Sequence, residues 1–167
     1  MRPFEYFAPR TLAEASEILA QHNDSARVIA GGTDLLLKMK AGKLAPKAIV
    51  NIKRIAELRG IVFDQSAIHN LPSAIHIGAL TTLEEIRRSP VVRRHYPALA
   101  AAAATMASVQ IRNLATVGGN LCNAAPSADL APILIALEAV AHVAGPMGSR
   151  RVPLEEFFTG PGTCVLA

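Results

Sequence analysis

Two glycine pairs in this sequence sit in the surroundings that anion binding needs. Ala30-Gly31-Gly32-Thr33-Asp34 and Thr116-Val117-Gly118-Gly119-Asn120 each place two residues without a Cβ beside a hydroxyl and a short polar side chain. Backbone N–H groups that converge at a helix start or in a tight turn hold a phosphate without a cationic side chain. Glycine permits both the positive φ such a turn uses and the close approach of a ligand. The first pair follows the apolar run Arg27-Val28-Ile29-Ala30 and precedes Leu35, Leu36, Leu37 and Met39, so it reads as strand, turn, helix, with the Thr33 hydroxyl as an extra donor. Glycine pairs also serve as plain turns. Neither segment fits G-x-G-x-x-G, and Gly42-Lys43 lacks the earlier glycine of a Walker loop. Two such segments, one per lobe, suit a diphosphate lying between them.

The other chemistry-bearing residues do not form constellations. Cys122 and Cys164 match no metal-ligand spacing and read as free thiols, Cys122 as a small buried hydrophobe. His22, His69, His76, His95 and His142 do not pair at i, i+4, so no metal site is expected. Seventeen Lys and Arg against thirteen Asp and Glu give +4, but the basic residues are scattered and read as solvated faces. Without aromatic residues alternating among them, no nucleic-acid platform is expected. The N-terminus lacks a signal-peptide layout, and the apolar windows 98–109 and 130–144 are too short to span a bilayer. A soluble, cytoplasmic protein is expected.

The elements that must position the glycine pairs follow from periodicity and punctuation. Thr11-Leu12-Ala13-Glu14 has the capping-box pattern and opens a helix over about 11–22. A strand at 27–30, a helix after Thr33 or Asp34 as cap, and a strand at 48–52 complete a helix, strand, turn, helix, strand grammar. A second unit begins near Arg59, with strands at 60–63 and 74–78 joined by a polar loop through Asn70 and Pro72. Thr82-Leu83-Glu84-Glu85 caps another helix, and Pro90 and Pro97 open two more, the last an alanine-rich run ending near Ser108. Beyond the second glycine pair come a helix at 129–138, a strand at 139–144 and a turn at 145–148. The apolar ending Thr163-Cys164-Val165-Leu166-Ala167 reads as a strand needing a partner, supplied by a missing piece or by another chain. The expected class is α+β with two α/β-like lobes, 1–55 and 56–167, the boundary falling at roughly 54–59. From the residues alone the reading ends there, at an α/β protein with two phosphate nests.

In their wider setting these segments resemble the flavoprotein family that includes the medium subunit of carbon monoxide dehydrogenase and the FAD domain of xanthine dehydrogenase. The similarity runs the whole length. It is carried by Pro3-Phe4-Glu5-Tyr6, Ile29-Ala30-Gly31-Gly32-Thr33-Asp34-Leu35-Leu36, Ile77-Gly78-Ala79-Leu80-Thr81-Thr82, and above all Gln110-Ile111-Arg112-Asn113 leading to Thr116-Val117-Gly118-Gly119-Asn120, then Pro126, Asp129 and Pro132. Arg150-Arg151-Val152-Pro153-Leu154 and Phe157-Phe158-Thr159-Gly160-Pro161-Gly162 complete it.

The resemblance implies a two-lobed FAD-binding domain of the vanillyl-alcohol-oxidase and CO dehydrogenase flavoprotein type. Arg27, Val28, Ile29, Ala30, Gly31, Gly32, Thr33 and Asp34 would wrap the FAD pyrophosphate with backbone amides, and Thr116, Val117, Gly118, Gly119 and Asn120 would complete the cradle. Asp129 stands where the family binds the adenosine ribose, and also where a helix N-cap belongs. Met106 and Ala107 fall where the family lines the flavin pocket or where core packing would place such residues. Asn123 would add a polar contact, Leu166 lies near the isoalloxazine position, and Gln110-Ile111-Arg112-Asn113 would hold the second glycine loop through its backbone.

No residue is expected to do acid–base work. A flavin-dependent oxidoreductase subunit is implied, taking electrons from iron–sulfur clusters and passing them to NAD or another acceptor, with molybdopterin and iron–sulfur clusters on partner subunits of a heterotrimer, itself dimerised. The family continues past the Phe-Phe-x-Gly-Pro-Gly segment into a C-terminal domain, whereas this sequence ends at Ala167. Two other readings follow: a truncated interaction module that binds FAD weakly or not at all, and another flavoenzyme of the same superfamily.

Overall fold

The computed structural model describes residues 2–64 and 74–166. Met1, Ala167 and the polar loop expected through His69, Asn70 and Pro72 lie outside the described residues.

The chain opens with β1 (Glu5–Phe7), α1 (Leu12–His22), β2 (Ala26–Ile29), α2 (Leu35–Lys40) and β3 (Ala48–Asn51). The three strands form a parallel sheet in the order β1-β3-β2, with Arg27 opposite Ile49 and Val28 opposite Val50. Parallel neighbours need a crossover, and α2 supplies it between β2 and β3. Thr11 starts α1 by accepting a hydrogen bond from the Glu14 amide at 3.2 Å. Only half of the expected capping box forms, because the Glu14 carboxylate takes the Arg10 amide at 2.8 Å instead of that of Thr11. Ala15, Ala26, Ala48, Val50 and Ile55 make a small buried cluster, with Phe7, Leu12, Ile18 and Leu19 packed against it.

β4 (Ile61–Asp64) and β5 (Ala74–Ile77) pair antiparallel as expected. Then come α3 (Leu83–Arg88), α4 (Pro90–His95), α5 (Pro97–Thr105), α6 (Val109–Arg112), α7 (Val117–Asn123) and α8 (Leu130–Ala136). At α3 the capping box is complete, with Thr82 and Glu85 each bonding the other's backbone. Prolines at the first positions of α4 and α5 cost no hydrogen bond, because those N–H groups have no intrahelical acceptor. The alanine run of α5 buries Leu99, Ala100 and Ala103, and its small side chains let it pack against both α3 and α8. A second, larger cluster of buried residues runs from Leu83 and Ile86 through Val117 and Leu130 to Phe157 and Cys164.

The chain finishes with β6 (Val140–Gly145), β7 (Gly148–Pro153), α9 (Leu154–Phe157), β8 (Phe158–Gly160) and β9 (Thr163–Cys164). β6 and β7 form a hairpin through Pro146 and Met147. The C-terminal strand has a partner within this chain, since β9 pairs antiparallel with β8. Cys164 is the buried cysteine and Cys122 the exposed one, the reverse of the packing role expected for Cys122. Protein around the Cys122 sulfur, with Cys164 nearby, nevertheless pushes that thiol up to about 12, so it stays protonated.

Candidate functional site

β2 delivers the chain to the first glycine turn. Arg27, Val28 and Ile29 lie within that strand, and the Arg27 guanidinium is engaged locally, donating to the carbonyls of Asp24 at 2.7 Å and Ala26 at 2.6 Å. Ala30 and Gly31 bend away from the sheet, and Gly32 adopts φ +80°, a left-handed conformation that glycine takes without strain. Leu36 then donates to the Gly32 carbonyl at 3.1 Å as α2 begins. Neither Thr33 nor Asp34 caps that helix through its side chain. Asp34 already has helical backbone angles (φ −93°, ψ −45°), which keep its carboxylate from reaching the amides ahead as an extended N-cap residue would. Among the described residues, the amides of Gly31, Gly32, Thr33 and Asp34 therefore donate to nothing.

The second glycine pair is built differently. Thr116 is the buried N-cap of α7, and Gly118-Gly119 forms the first turn of that helix, so the segment is a helix start and not a free loop. Its amides are used within the protein. Val117 donates to the Thr81 carbonyl at 2.9 Å, Gly118 to Ala79 at 2.8 Å and Asn120 to Thr116 at 2.9 Å. The Gly119 amide donates to the Thr116 hydroxyl oxygen at 3.1 Å. The Val117 and Gly118 amides are thus taken by the turn at residues 78–82, and those of Gly119 and Asn120 by Thr116, so this segment differs from the first in having its amides engaged within the protein. Among the described residues the Asn120 side-chain oxygen is buried and accepts no hydrogen bond. An orphaned buried carbonyl is costly unless a ligand donor reaches it.

The two segments meet. A Cβ added to Gly31 would stand 2.1 Å from the Leu114 carbonyl oxygen and 3.1 Å from the Ala115 Cα, so the first turn rests directly on the backbone leading into Thr116. Gly118 likewise faces Ala79, where an added Cβ would come within 2.8 Å of the Ala79 Cβ. Lys38 on α2 donates to the Asn123 side-chain oxygen on α7 at 2.7 Å, closing the junction and bringing a positive charge to it. The polar contact expected of Asn123 is thus made to Lys38. Two surface depressions, one lined by Asp24, Arg27 and Pro46 and the other by Leu12, Ser16 and Gly148, include neither glycine segment.

The remaining candidates are spread around this junction. Asp129 occupies the N-cap position of α8 but makes no capping bond, since its φ −71° and ψ −19° are already helical. Its carboxylate is exposed and has no partner among the described residues. Met106 and Ala107 link α5 to α6, Ala107 with φ +47°. Leu166 is exposed beyond β9. No hydrogen bond joins Asp129 or Leu166 to either glycine segment among the described residues. Arg112 holds a loop, though not the expected one: its Nη1 donates to the carbonyls of Met106 at 2.9 Å and Ala107 at 3.0 Å. Asn113 donates to Val109 at 2.8 Å, within its own helix turn.

Sequence reasoning passed over Glu84. Its buried carboxylate accepts from Arg87 at 2.6 and 2.9 Å, pairs with Arg88 at 2.8 Å and lies 3.5 Å from Arg112. The Arg87 hydrogen bonds, against the opposing effect of burial and with help from the charges of Arg87 and Arg88, pull the acid down to about 2. The signal was present as Glu at i with Arg at i+3 and i+4, but Glu84-Glu85 gives two candidates and only packing distinguishes the buried one.

A small parallel sheet and a helical second cluster, joined where an open-amide glycine turn rests on a helix-capping segment, define an α+β domain suited to the diphosphate of a nucleotide cofactor. The family model described as FAD binding domain in molybdopterin dehydrogenase matches residues 2–167. The chain belongs to that family. It is 41% identical over 157 residues to a putative xanthine dehydrogenase FAD-binding subunit of Escherichia coli (strain K12), covering 94% of this chain and 51% of that protein. It is 39% identical over 157 residues to the carbon monoxide dehydrogenase medium chain of Hydrogenophaga pseudoflava, covering 94% and 52%. Among solved structures, a carbon monoxide dehydrogenase from Hydrogenophaga pseudoflava superposes with TM-score 0.91 at 38% identity over 100% of this chain and 56% of that one. Quinoline 2-oxidoreductase from Pseudomonas putida 86 gives 0.89 at 29%, covering 99% and 55%. The α+β class and the resemblance drawn from the sequence are both borne out. The chain spans about half the length of the curated relatives it matches. Among the described residues, no helix is long and apolar enough to cross a membrane.

Proposed function

We propose that this chain holds the ADP half of FAD in the flavoprotein subunit of a molybdenum hydroxylase, with 1–55 as one lobe and 56–167 as the second. The observation that carries the reading is the row of amides at Gly31, Gly32, Thr33 and Asp34, unpartnered among the described residues, where the chain turns from β2 into α2. A diphosphate supplies the acceptors those donors lack. The buried Asn120 oxygen fits a hydroxyl donor of the same cofactor, and the free Asp129 carboxylate fits two vicinal ribose hydroxyls. Lys38 adds a cation at the junction, which favours an anionic ligand. Met106, Ala107 and Leu166 would line the flavin end.

When bound, the flavin supplies the redox chemistry, and the protein's task is to bind and orient it. Support for this setting comes from similar proteins that bear the names putative xanthine dehydrogenase FAD-binding subunit and carbon monoxide dehydrogenase medium chain. Our reading for this chain is a cytoplasmic heterotrimer, dimerised, in which an iron–sulfur subunit delivers electrons from a molybdopterin subunit and NAD or another acceptor removes them. The test is a visible spectrum of the purified chain and a titration with FAD. Flavin bands approaching one FAD per chain support the reading. A colourless protein that ignores added FAD refutes it for this chain and favours an interaction module.

A further inference from the structure

The shelf under Gly31 is set by two helices, and one side-chain strut joins them. Ala115 donates to the Ile111 carbonyl of α6 at 2.7 Å, and its own carbonyl accepts from Leu83 of α3 at 3.0 Å. Leu114 donates to Ile111 at 3.0 Å. The height of Leu114–Ala115 therefore depends on where α6 sits relative to α3. Between those helices the Arg112 Nε of α6 lies 3.5 Å from a Glu84 carboxylate oxygen of α3, an ion pair that is not a formed hydrogen bond, with side chains 11% and 7% exposed. Arg112 also fastens Met106 and Ala107, and Ala107 holds a left-handed φ that an alanine adopts only at a cost of about 1 kcal/mol or more.

We propose that Glu84 is a positioning residue for the anion-binding turn: through Arg112 it fixes α6 against α3 and so sets the Leu114–Ala115 shelf on which Gly31 rests. This rests on the diphosphate reading for its functional consequence, though not for its geometry. Arg87 and Arg88 touch the same carboxylate from the helix of Glu84 itself, so they balance its charge without reaching α6.

The experiment combines amide NMR of the full chain with titrations by FAD and by ADP. Glu84→Gln, which keeps the side chain's shape, is expected to shift the Gly31 and Gly32 amide resonances along with those of Met106 and Ala107. It is expected to weaken both FAD and ADP by about fivefold or more, and Arg112→Lys should reproduce this, with the double variant no worse than either single because the two residues act as one unit. Arg88→Gln removes an exposed partner of the same carboxylate and should leave Gly31 unmoved, which a general loss of charge pairing would not. Unmoved Gly31 and Gly32 amides in a folded Glu84→Gln protein overturn the proposal, as do additive losses in the double variant. If wild type binds neither ligand yet the Gly31 amide follows Glu84, the diphosphate reading falls while the strut stands.

Discussion

Gly31 and Leu114 are 83 residues apart in sequence, yet the Gly31 backbone lies so close to the Leu114 carbonyl that an added methyl would stand 2.1 Å from its oxygen. The obstacle is backbone on both sides, so no flexible side chain can swing away. Gly31→Ala should therefore cost about 2 kcal/mol or more, as overpacking of a rigid contact does. In a chain of this size that is a fall of roughly 5 °C or more in Tm. Thermal unfolding of the variant at wild-type Tm would show that the two segments do not meet as described.

Thr116 caps α7 through its hydroxyl, which accepts from the Gly119 amide. Thr116→Val preserves volume and removes the acceptor. A loss of about 1 kcal/mol is expected. Denaturant titration checks it, and an unchanged midpoint would mean that the Gly119 amide has another acceptor and is not committed to the cap.

Asp129 separates a structural role from a ligand role cleanly, because it sits at an N-cap position without capping. Asp129→Ala should leave stability within about 0.5 kcal/mol, as for an exposed residue making no such bond. FAD affinity should fall about tenfold with the loss of the ribose acceptors, a change worth about 1.4 kcal/mol. Calorimetric titration with FAD provides the check, and a destabilised variant with normal affinity would reverse the assignment.

The Glu84 carboxyl gives a pH prediction with a definite sign. Its ordinary value of 4.5 falls to about 2 in the folded protein, chiefly through the Arg87 hydrogen bond, with burial opposing. The unfolded chain therefore binds a proton in the interval where the folded protein does not, and stability rises with pH across it. The contribution is fully present above about 4.5 and is lost as pH falls towards 2. The Tm gap between wild type and Glu84→Gln should accordingly shrink as pH is lowered through that window. A gap independent of pH would show that the carboxylate is not the stabilising form.

Much of this architecture was legible from local pattern. The capping box at Thr82, the prolines opening α4 and α5, and the strand preceding Gly31 each act over a few residues, so spacing alone reveals them. The two glycine segments were also visible, but they read as equivalent, and they are not. One leaves its amides open; the other gives them to Thr81, Ala79 and its own Thr116. The C-terminal strand was read as unpartnered because nothing local announces the register between Thr163 and Gly160.

The sequence by itself determined the α+β class, the positions of the glycine turns and the family resemblance, since these reside in residue type and short-range order. The tertiary structure alone decided which amides remain free, which of Glu84 and Glu85 is buried against Arg112, and why Gly31 must lack a side chain. Hydrogen-bond satisfaction and close packing are settled between residues distant in the chain, and a list of neighbours in sequence does not contain those contacts.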